Sequence, residues 1–114
     1  MARTILVIDD HQSFVDVVGD ALGEQGFHVV TFTDPLAALA HVAEQPPDLI
    51  LSDVRMPDLD GVTLAQRIRA LGYRMPIVLI SGKTVPPLEL PGVSVVGKEM
   101  GIDDLFALIE RQFT

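Results

Sequence analysis

The sequence predicts a single α/β domain over residues 1–114, built on a doubly wound, five-stranded parallel sheet. Two observations predict this class. Short apolar runs alternate along the chain with amphipathic segments of helical period, which is typical of βαβ units with right-handed crossovers. The length also fits, because 114 residues can bury one substantial core and leave no room for a second domain.

Five short apolar runs are predicted to form the strands. Their side chains are mostly aliphatic or β-branched and show little polar alternation, as expected of strands buried on both faces. In chain order the predicted strands are Thr4–Ile8, His28–Phe32, Leu49–Ser52, Ile77–Ser81 and Val93–Val96.

The first two helices are defined by their end signals and their apolar stripes. The first ends at Gly26, a residue type common just past a helix C-terminus. The second begins at Asp34, a capping carboxylate followed by Pro35, and ends before Pro46 and Pro47. The residues predicted to face the core are Phe14, Val17, Val18, Ala21 and Leu22 in the first helix, and Leu36, Leu39, Ala40 and Ala43 in the second.

Two further helices are predicted at Val62–Leu71 and Ile102–Phe113. The stripe of the last helix is wide, which suits core packing and, as a second use, a homodimer contact. The residues predicted to face inward are Leu64, Ile68 and Leu71 in the former, and Leu105, Leu108, Ile109 and Gln112, widened by Phe106 and Phe113, in the latter.

The helix expected between the fourth and fifth strands is missing or vestigial. Pro86, Pro87 and Pro91 fall where it would stand, and proline inside a helix costs about 3 kcal/mol. The sequence therefore predicts a Pro-rich loop in place of helix 4. Its apolar residues are expected to lie over the sheet face that the helix would have covered: Val85, Leu88 and Leu90.

Five strands joined in this way suit the flavodoxin-like order 2-1-3-4-5. In that order, ligands bind beyond the carboxyl ends of the strands, next to the point between strands one and three where the winding reverses. The polar residues that follow the strands are therefore expected on one rim: Asp9 and Asp10, Asp53, Ser81 and Lys98.

The chemistry of that rim predicts a magnesium site. Asp9, Asp10 and Asp53 would repel one another without a cation, and oxygen ligands suit Mg²⁺, which also takes up phosphate groups. A carboxylate beside Mg²⁺ and the Lys98 ammonium is suited to attack phosphorus, and Ser81 would lie within reach of a bound phosphoryl oxygen.

Bulk composition excludes several function classes. The net charge of −8 argues against a nucleic-acid-binding surface, since phosphate contacts need clustered Lys and Arg. The absence of cysteine excludes disulfides and thiolate metal sites. No signal peptide and no membrane-length apolar run is found, so a cytoplasmic protein is expected.

The three histidines do not form a zinc motif. His11, His28 and His41 fall on a loop, a strand start and a helix, without ligand spacing, so a zinc site is not expected. His11 follows the acidic pair and is positioned to tune the rim. Val15 stands outside the predicted stripe of the first helix, either as a lone exposed apolar residue or as a docking contact.

The segments "ILVIDD", "LILSDVRMPDLDG", "VLISG" and "VVGK" resemble the receiver domain of two-component response regulators across the whole chain. The resemblance implies a phosphoprotein in which Asp53 is phosphorylated from the phosphohistidine of a histidine kinase or histidine phosphotransfer protein. It implies Asp10 as a direct Mg²⁺ ligand and Asp9 as a ligand mainly through water. Asp53 and the backbone carbonyl of Arg55 complete the expected metal set.

The same resemblance implies roles for the remaining rim residues. Ser81 would be the switch hydroxyl and Lys98 the lysine that pairs with the phosphate. This sequence departs from the family pattern in having Val95 where many receivers carry an aromatic residue, and Glu99 where proline usually follows the lysine. Lys98 is therefore expected to be trans-linked to Glu99, and its reach to the phosphate is an open question.

The favoured interpretation is a single-domain receiver that is not an enzyme and carries no output module. It would signal through an unknown downstream protein, or act as a phosphate relay or sink. The alternatives are a pseudo-receiver that docks without phosphorylation, a receiver fragment of a longer regulator, and a Mg²⁺-dependent phosphatase. The phosphatase is disfavoured because Arg55 stands where a second aspartate is needed.

Overall fold

A computed structural model describes residues 2–82 and 88–113. Five strands and four helices are found in these ranges. Their bounds are β1 Thr4–Ile8, α1 Gln12–Glu24, β2 His28–Phe32, α2 Pro35–Glu44, β3 Leu49–Asp53, α3 Gly61–Ala70, β4 Ile77–Ser81, β5 Val93–Gly97 and α4 Ile102–Arg111. All strand pairs are parallel, and the order β2-β1-β3-β4-β5 confirms the predicted topology.

The sheet is covered on both faces, which explains why its central strands are apolar without alternation. One face packs against α2 and α3 around Leu6, Ile50 and Leu79. The other packs against α1 and α4 around Val7, Leu51 and Val78. Burying each aliphatic side chain of this size contributes about 1.5–3 kcal/mol, so the two half-cores hold the strand ends in fixed register.

The prediction of the buried face of α1 was wrong, because the buried residues lie about one position later in the sequence than predicted. Val15, Val18, Gly19 and Leu22 face the sheet, whereas Val17 is 67% exposed. Val15 is therefore a core residue and not a surface contact. The C-terminal end of α1 was predicted correctly. Gly26 follows the helix with φ +96°, and its amide donates a hydrogen bond to the carbonyl of Gly23.

The predicted stripe of α2 was also wrong in part. Asp34 caps the helix by accepting a hydrogen bond from the Leu36 amide at 3.0 Å, as expected. However, the buried faces are those of Ala38 and Val42. Of the predicted inward residues, Leu39 is half-buried, and the others are exposed: Leu36, Ala40 and Ala43.

The two later helices agree more closely with the sequence. Leu64 and Ile68 of α3 are buried as predicted, but Leu71 is exposed because the helix ends at Ala70. Leu105 and Ile109 of α4 are buried. The residues that widen its stripe are half-buried against the core: Phe106, Leu108, Gln112 and Phe113.

The segment before β5 is not helical over residues 88–92, the part of it that the structure describes. Leu88 and Leu90 pack on the core of the α2–α3 face, as predicted. Lys83, Val85, Pro86 and Pro87 lie outside the described residues.

The guanidinium of Arg69 holds this segment in place. Its Nε donates to the carbonyl of Pro91 at 2.9 Å, while its two terminal nitrogens donate to the carbonyls of Tyr73 at 3.1 Å and Met75 at 2.7 Å. One side chain thereby joins the end of α3, the loop before β4 and the segment before β5. Its partial burial lowers the pKa of the Arg69 guanidinium.

Within residues 2–82 and 88–113, every helix is too short or too polar to cross a lipid bilayer.

Candidate functional site

The sheet brings the predicted site residues to one rim. Asp9 and Asp10 directly follow β1, Asp53 is the last residue of β3, Ser81 closes β4, and Lys98 follows β5. The parallel registers align these ends, since Ile8 pairs with Ser52, Asp53 with Ile80, and Ser81 with Gly97. Residues separated by up to 89 positions in the chain therefore converge because parallel strands end at a common edge.

Four potential metal ligands lie within a single cluster. One ligand atom from each of Asp9, Asp10, His11 and Asp53 lies within 4.8 Å of all the others. Asp9 and Asp53 are 1% and 3% exposed, so their carboxylates have little access to bulk water. The Oδ1 atom of Asp10 is buried and has no hydrogen-bond partner among the described residues. An orphaned carboxylate oxygen beside two buried carboxylates fits a divalent cation.

Burial raises the pKa of Asp9, because removal from water disfavours its charged form. Hydrogen bonds from the backbone amide and the ring of His11 act in the opposite direction, while the charge of Asp53 adds to the increase. The raised pKa shows that holding this carboxylate ionised is costly, and a bound cation would offset that cost.

His11 lies on the rim, as its place after the acidic pair indicated, but the sequence did not predict it among the potential metal ligands. Its ring Nδ1 lies 3.0 Å from Asp9 Oδ1 and 3.4 Å from Asp10 Oδ1. The hydrogen bond to Asp9, followed by the charges of Asp10 and Asp9, raises the pKa of His11 above its ordinary value. The available signal was adjacency to the acidic pair, because the residue after a strand-end Asp-Asp pair remains on the same rim.

The His11 shift predicts how the stability of the metal-free protein changes with pH. A histidine whose pKa is higher in the folded protein than in the unfolded chain stabilises the folded state. This contribution is complete below the pKa of the unfolded chain, near 6.5, and is lost as the pH rises through the pKa of the folded protein. The melting temperature in chelator should therefore fall with increasing pH from mildly acidic to mildly alkaline conditions. The fall should be smaller in His11→Asn. Equal slopes in the two proteins would contradict the prediction.

Lys98 reaches the carboxylate of Asp53 without a following proline. Its Nζ lies 3.4 Å from Asp53 Oδ2, and its side chain is 42% exposed. No peptide bond among the described residues is cis, so the link to Glu99 is trans, as predicted. The backbone amide of Lys98 donates to the carbonyl of Ser81 at 2.9 Å, which fixes the start of the loop.

Lys98 forms its ion pair with Asp53 and not with the neighbouring Glu99. The Glu99 carboxylate folds back over Gly97, where a Cβ would overlap its oxygens. Among the described residues, the ion pair recorded for Lys98 is the one with Asp53.

The loop from β3 to α3 is shaped by local hydrogen bonds and one close approach. Asp58 adopts a left-handed conformation with φ 70°, and Asp60 caps α3 by accepting from the Thr63 amide at 2.8 Å. A Cβ on Gly61 would overlap the carbonyl oxygen of Asp53. Gly61 is therefore required for close packing against Asp53. Arg55, in the same loop, has an exposed side chain.

An apolar groove runs beside the rim between α1 and α4. Its volume is about 390 Å³, and Val17, Met100, Ile102 and Lys98 are among its lining residues. The exposed apolar position of α1 is thus Val17 and not Val15, for which the sequence had left an exposed residue or a docking contact open.

Comparison with known proteins identifies the family. A model described as the response regulator receiver domain matches residues 5–110. The chain is 34% identical over 104 residues to the alkaline phosphatase synthesis transcriptional regulatory protein PhoP of Bacillus subtilis, covering 91% of the chain and 41% of that protein. It is 40% identical over 81 residues to the sensor histidine kinase RcsC of Salmonella typhimurium, covering 71% of the chain and 8% of the kinase. The chain thus spans less than half the length of either relative.

Solved structures agree in fold. The receiver domain of the hybrid histidine kinase CckA superposes with a TM-score of 0.84 at 29% identity, covering 97% of this chain and 99% of that one. The chemotaxis protein CheY4 of Vibrio cholerae gives a TM-score of 0.87 at 25% identity, covering 97% and 98%. With the match over residues 5–110 and the predicted strand order, the chain belongs to the response regulator receiver domain family.

Proposed function

We propose that this receiver domain accepts a phosphoryl group on Asp53 in a Mg²⁺-dependent reaction, and that the donor is the phosphohistidine of a histidine kinase or histidine phosphotransfer protein. The observation that carries the proposal is the buried Asp53 carboxylate, which is held between the acidic cluster on one side and the Lys98 ammonium at 3.4 Å on the other. Relatives that include a sensor histidine kinase support the choice of donor.

The cation would be held by the carboxylates of Asp9, Asp10 and Asp53 and by the backbone carbonyl of Arg55. Mg²⁺ in such a site supplies charge neutralisation for the phosphoryl oxygens. The Oδ1 atom of Asp10, which has no hydrogen-bond partner among the described residues, and the buried carboxylate of Asp9 would both be stabilised by the cation.

In the transfer, a carboxylate oxygen of Asp53 forms a bond to phosphorus as the bond from phosphorus to the donor imidazole nitrogen breaks. The electron pair of the broken bond remains on the imidazole, which takes up a proton. The Lys98 ammonium donates to a phosphoryl oxygen, and the Ser81 hydroxyl, buried at the end of β4, donates to another. The domain would thus be a phosphoacceptor that assists its own modification and not an enzyme acting on a separate substrate.

The phosphorylated domain would act through protein–protein contact, or as a relay or sink for phosphate. The groove beside α1 lies next to the rim and includes Lys98, so a donor protein seated there would approach Asp53 directly. A docking module that works without phosphorylation is the second candidate; the apolar groove with the exposed Val17 favours it, whereas the contact of Lys98 with Asp53 favours the phosphoacceptor.

Intact-mass measurement after incubation with acetyl phosphate and Mg²⁺ tests the proposal. The wild-type protein should gain one phosphoryl group, and Asp53→Asn should gain none. Asp20→Asn, an exposed carboxylate on α1, is the matched control and should label like the wild type. Absence of labelling in the wild type would exclude the phosphoacceptor and favour the docking module. Labelling of Asp53→Asn would place the modification elsewhere.

A further inference from the structure

The His11 ring introduces a nitrogen donor into an otherwise oxygen-only site. One of its ring nitrogens belongs to the same 4.8 Å cluster as the carboxylates of Asp9, Asp10 and Asp53, and Nδ1 is the nitrogen that faces Asp9 and Asp10. Hard cations such as Mg²⁺ prefer oxygen, whereas imidazole suits first-row transition metals such as Co²⁺, Ni²⁺ and Zn²⁺. The ring therefore changes which cations the site can hold well.

The separations between the donor atoms match those of neighbouring ligands on one ion. Two ligands bound at right angles with bonds of about 2.1 Å lie about 3 Å apart. His11 Nδ1 is 3.0 Å from Asp9 Oδ1 and 3.4 Å from Asp10 Oδ1. In this arrangement the 3.0 Å separation is a hydrogen bond between the ring and Asp9. Coordination would release the Nδ1 proton and leave the nitrogen next to the carboxylates at the spacing that a shared ion requires.

Helix capping does not account for the ring position. His11 is the N-cap residue of α1, yet its side chain makes no capping hydrogen bond to the helix. Residues that serve at this position for capping alone are usually Ser, Thr, Asp or Asn. The ring instead turns toward Asp9, with 65% of the side chain exposed, and so faces the cluster from its open side.

We propose that His11 is a cation-selecting ligand, which makes this site bind a first-row transition-metal dication more tightly than an all-oxygen receiver site would. The inference rests on the proposed function for the position of the cation. Because Mg²⁺ gains little from imidazole, removing the ring should weaken the binding of Co²⁺ more than the binding of Mg²⁺.

Titration with Co²⁺, followed by its visible absorption and by competition with Mg²⁺, measures the selectivity. His11→Asn keeps a good N-cap residue and is expected to fold normally. It should lose about tenfold or more in Co²⁺ affinity and clearly less in Mg²⁺ affinity, which changes only through the lost hydrogen bond to Asp9. His28→Asn, an exposed histidine at the start of β2, is the matched control and should bind both metals like the wild type.

Nitrogen NMR of the three imidazole rings in the presence of Zn²⁺ gives a second readout. The His11 ring resonances should shift as expected for direct coordination, while those of His28 and His41 stay in place. Unchanged His11 resonances, unchanged Co²⁺ affinity in His11→Asn, or equal losses for Co²⁺ and Mg²⁺ would overturn the inference. Acetyl phosphate labelling in Mg²⁺ tests the proposed function separately, so the two can fail independently.

Discussion

Replacement of Lys98 by methionine is expected to slow the labelling of Asp53 by acetyl phosphate about a hundredfold, the size of effect typical when one preorganised donor to a developing anion is removed. Lys98 Nζ lies 3.4 Å from Asp53 Oδ2 and is the cation best placed, among the described residues, to meet a phosphoryl oxygen. Methionine keeps much of the length of the side chain and removes its charge.

The same variant should bind Mg²⁺ more tightly than the wild type, because a positive charge beside the cation site is removed. Lys98→Arg is the control. It keeps the positive charge but replaces the ammonium by a planar guanidinium, and it should retain most of the labelling rate. Rates come from intact-mass time courses at saturating Mg²⁺. A Lys98→Met protein that labels as fast as the wild type would show that the ammonium has no part in the transfer.

Replacement of Gly61 by alanine is expected to lower the free energy of unfolding by about 3 kcal/mol, at the upper end of the usual cost of overpacking. The new methyl group would overlap the Asp53 carbonyl oxygen and would lie 3.0 Å from Val54 Cα. Because both neighbours are backbone atoms of β3 and its loop, neither can rotate away. The strain should also displace Asp53 and slow its labelling.

Gly23→Ala is the matched control for this substitution. Gly23 lies within α1, and nothing lies within 4 Å of the position of its Cβ. The same change should stabilise the protein there by about 0.5–1 kcal/mol through helix propensity. Urea unfolding measures both variants. A loss below about 1 kcal/mol in Gly61→Ala would mean that the loop relaxes around the methyl group.

The sequence predicted the sheet better than it predicted the faces of the helices. Continuous apolar runs indicate doubly buried strands directly. Three of the five predicted strands have the observed bounds, and the other two, predicted to end at Ser52 and Val96, are each one residue longer in the structure. The helices α1 and α2 are apolar on several sides, so their periodicity admits more than one buried face. In α1 the choice between Val15 and Val17 depends on packing against the sheet, which local sequence does not specify.

The rim could be predicted because it follows from topology alone. Parallel strands place their carboxyl ends together, whatever the loops do, and Asp53 and Lys98 meet for this reason. The positions of His11 and Gly61 depend on distances within loops. The turn of an imidazole toward Asp9 and the missing space for a methyl group beside Asp53 become visible only with coordinates.

The hydrogen bonds of Arg69 help to explain how this domain can have a non-helical segment before β5, where receivers have a helix. Removing a crossover helix leaves carbonyl groups that no longer have an amide partner within a helix, and buried acceptors of that kind are costly. Here a single guanidinium, with five donors in a rigid plane, serves one carbonyl of the crossover, that of Pro91, together with the carbonyls of Tyr73 and Met75 before β4. The shortened crossover therefore depends on one side chain of a neighbouring helix, and lysine, a point donor, could not take its place.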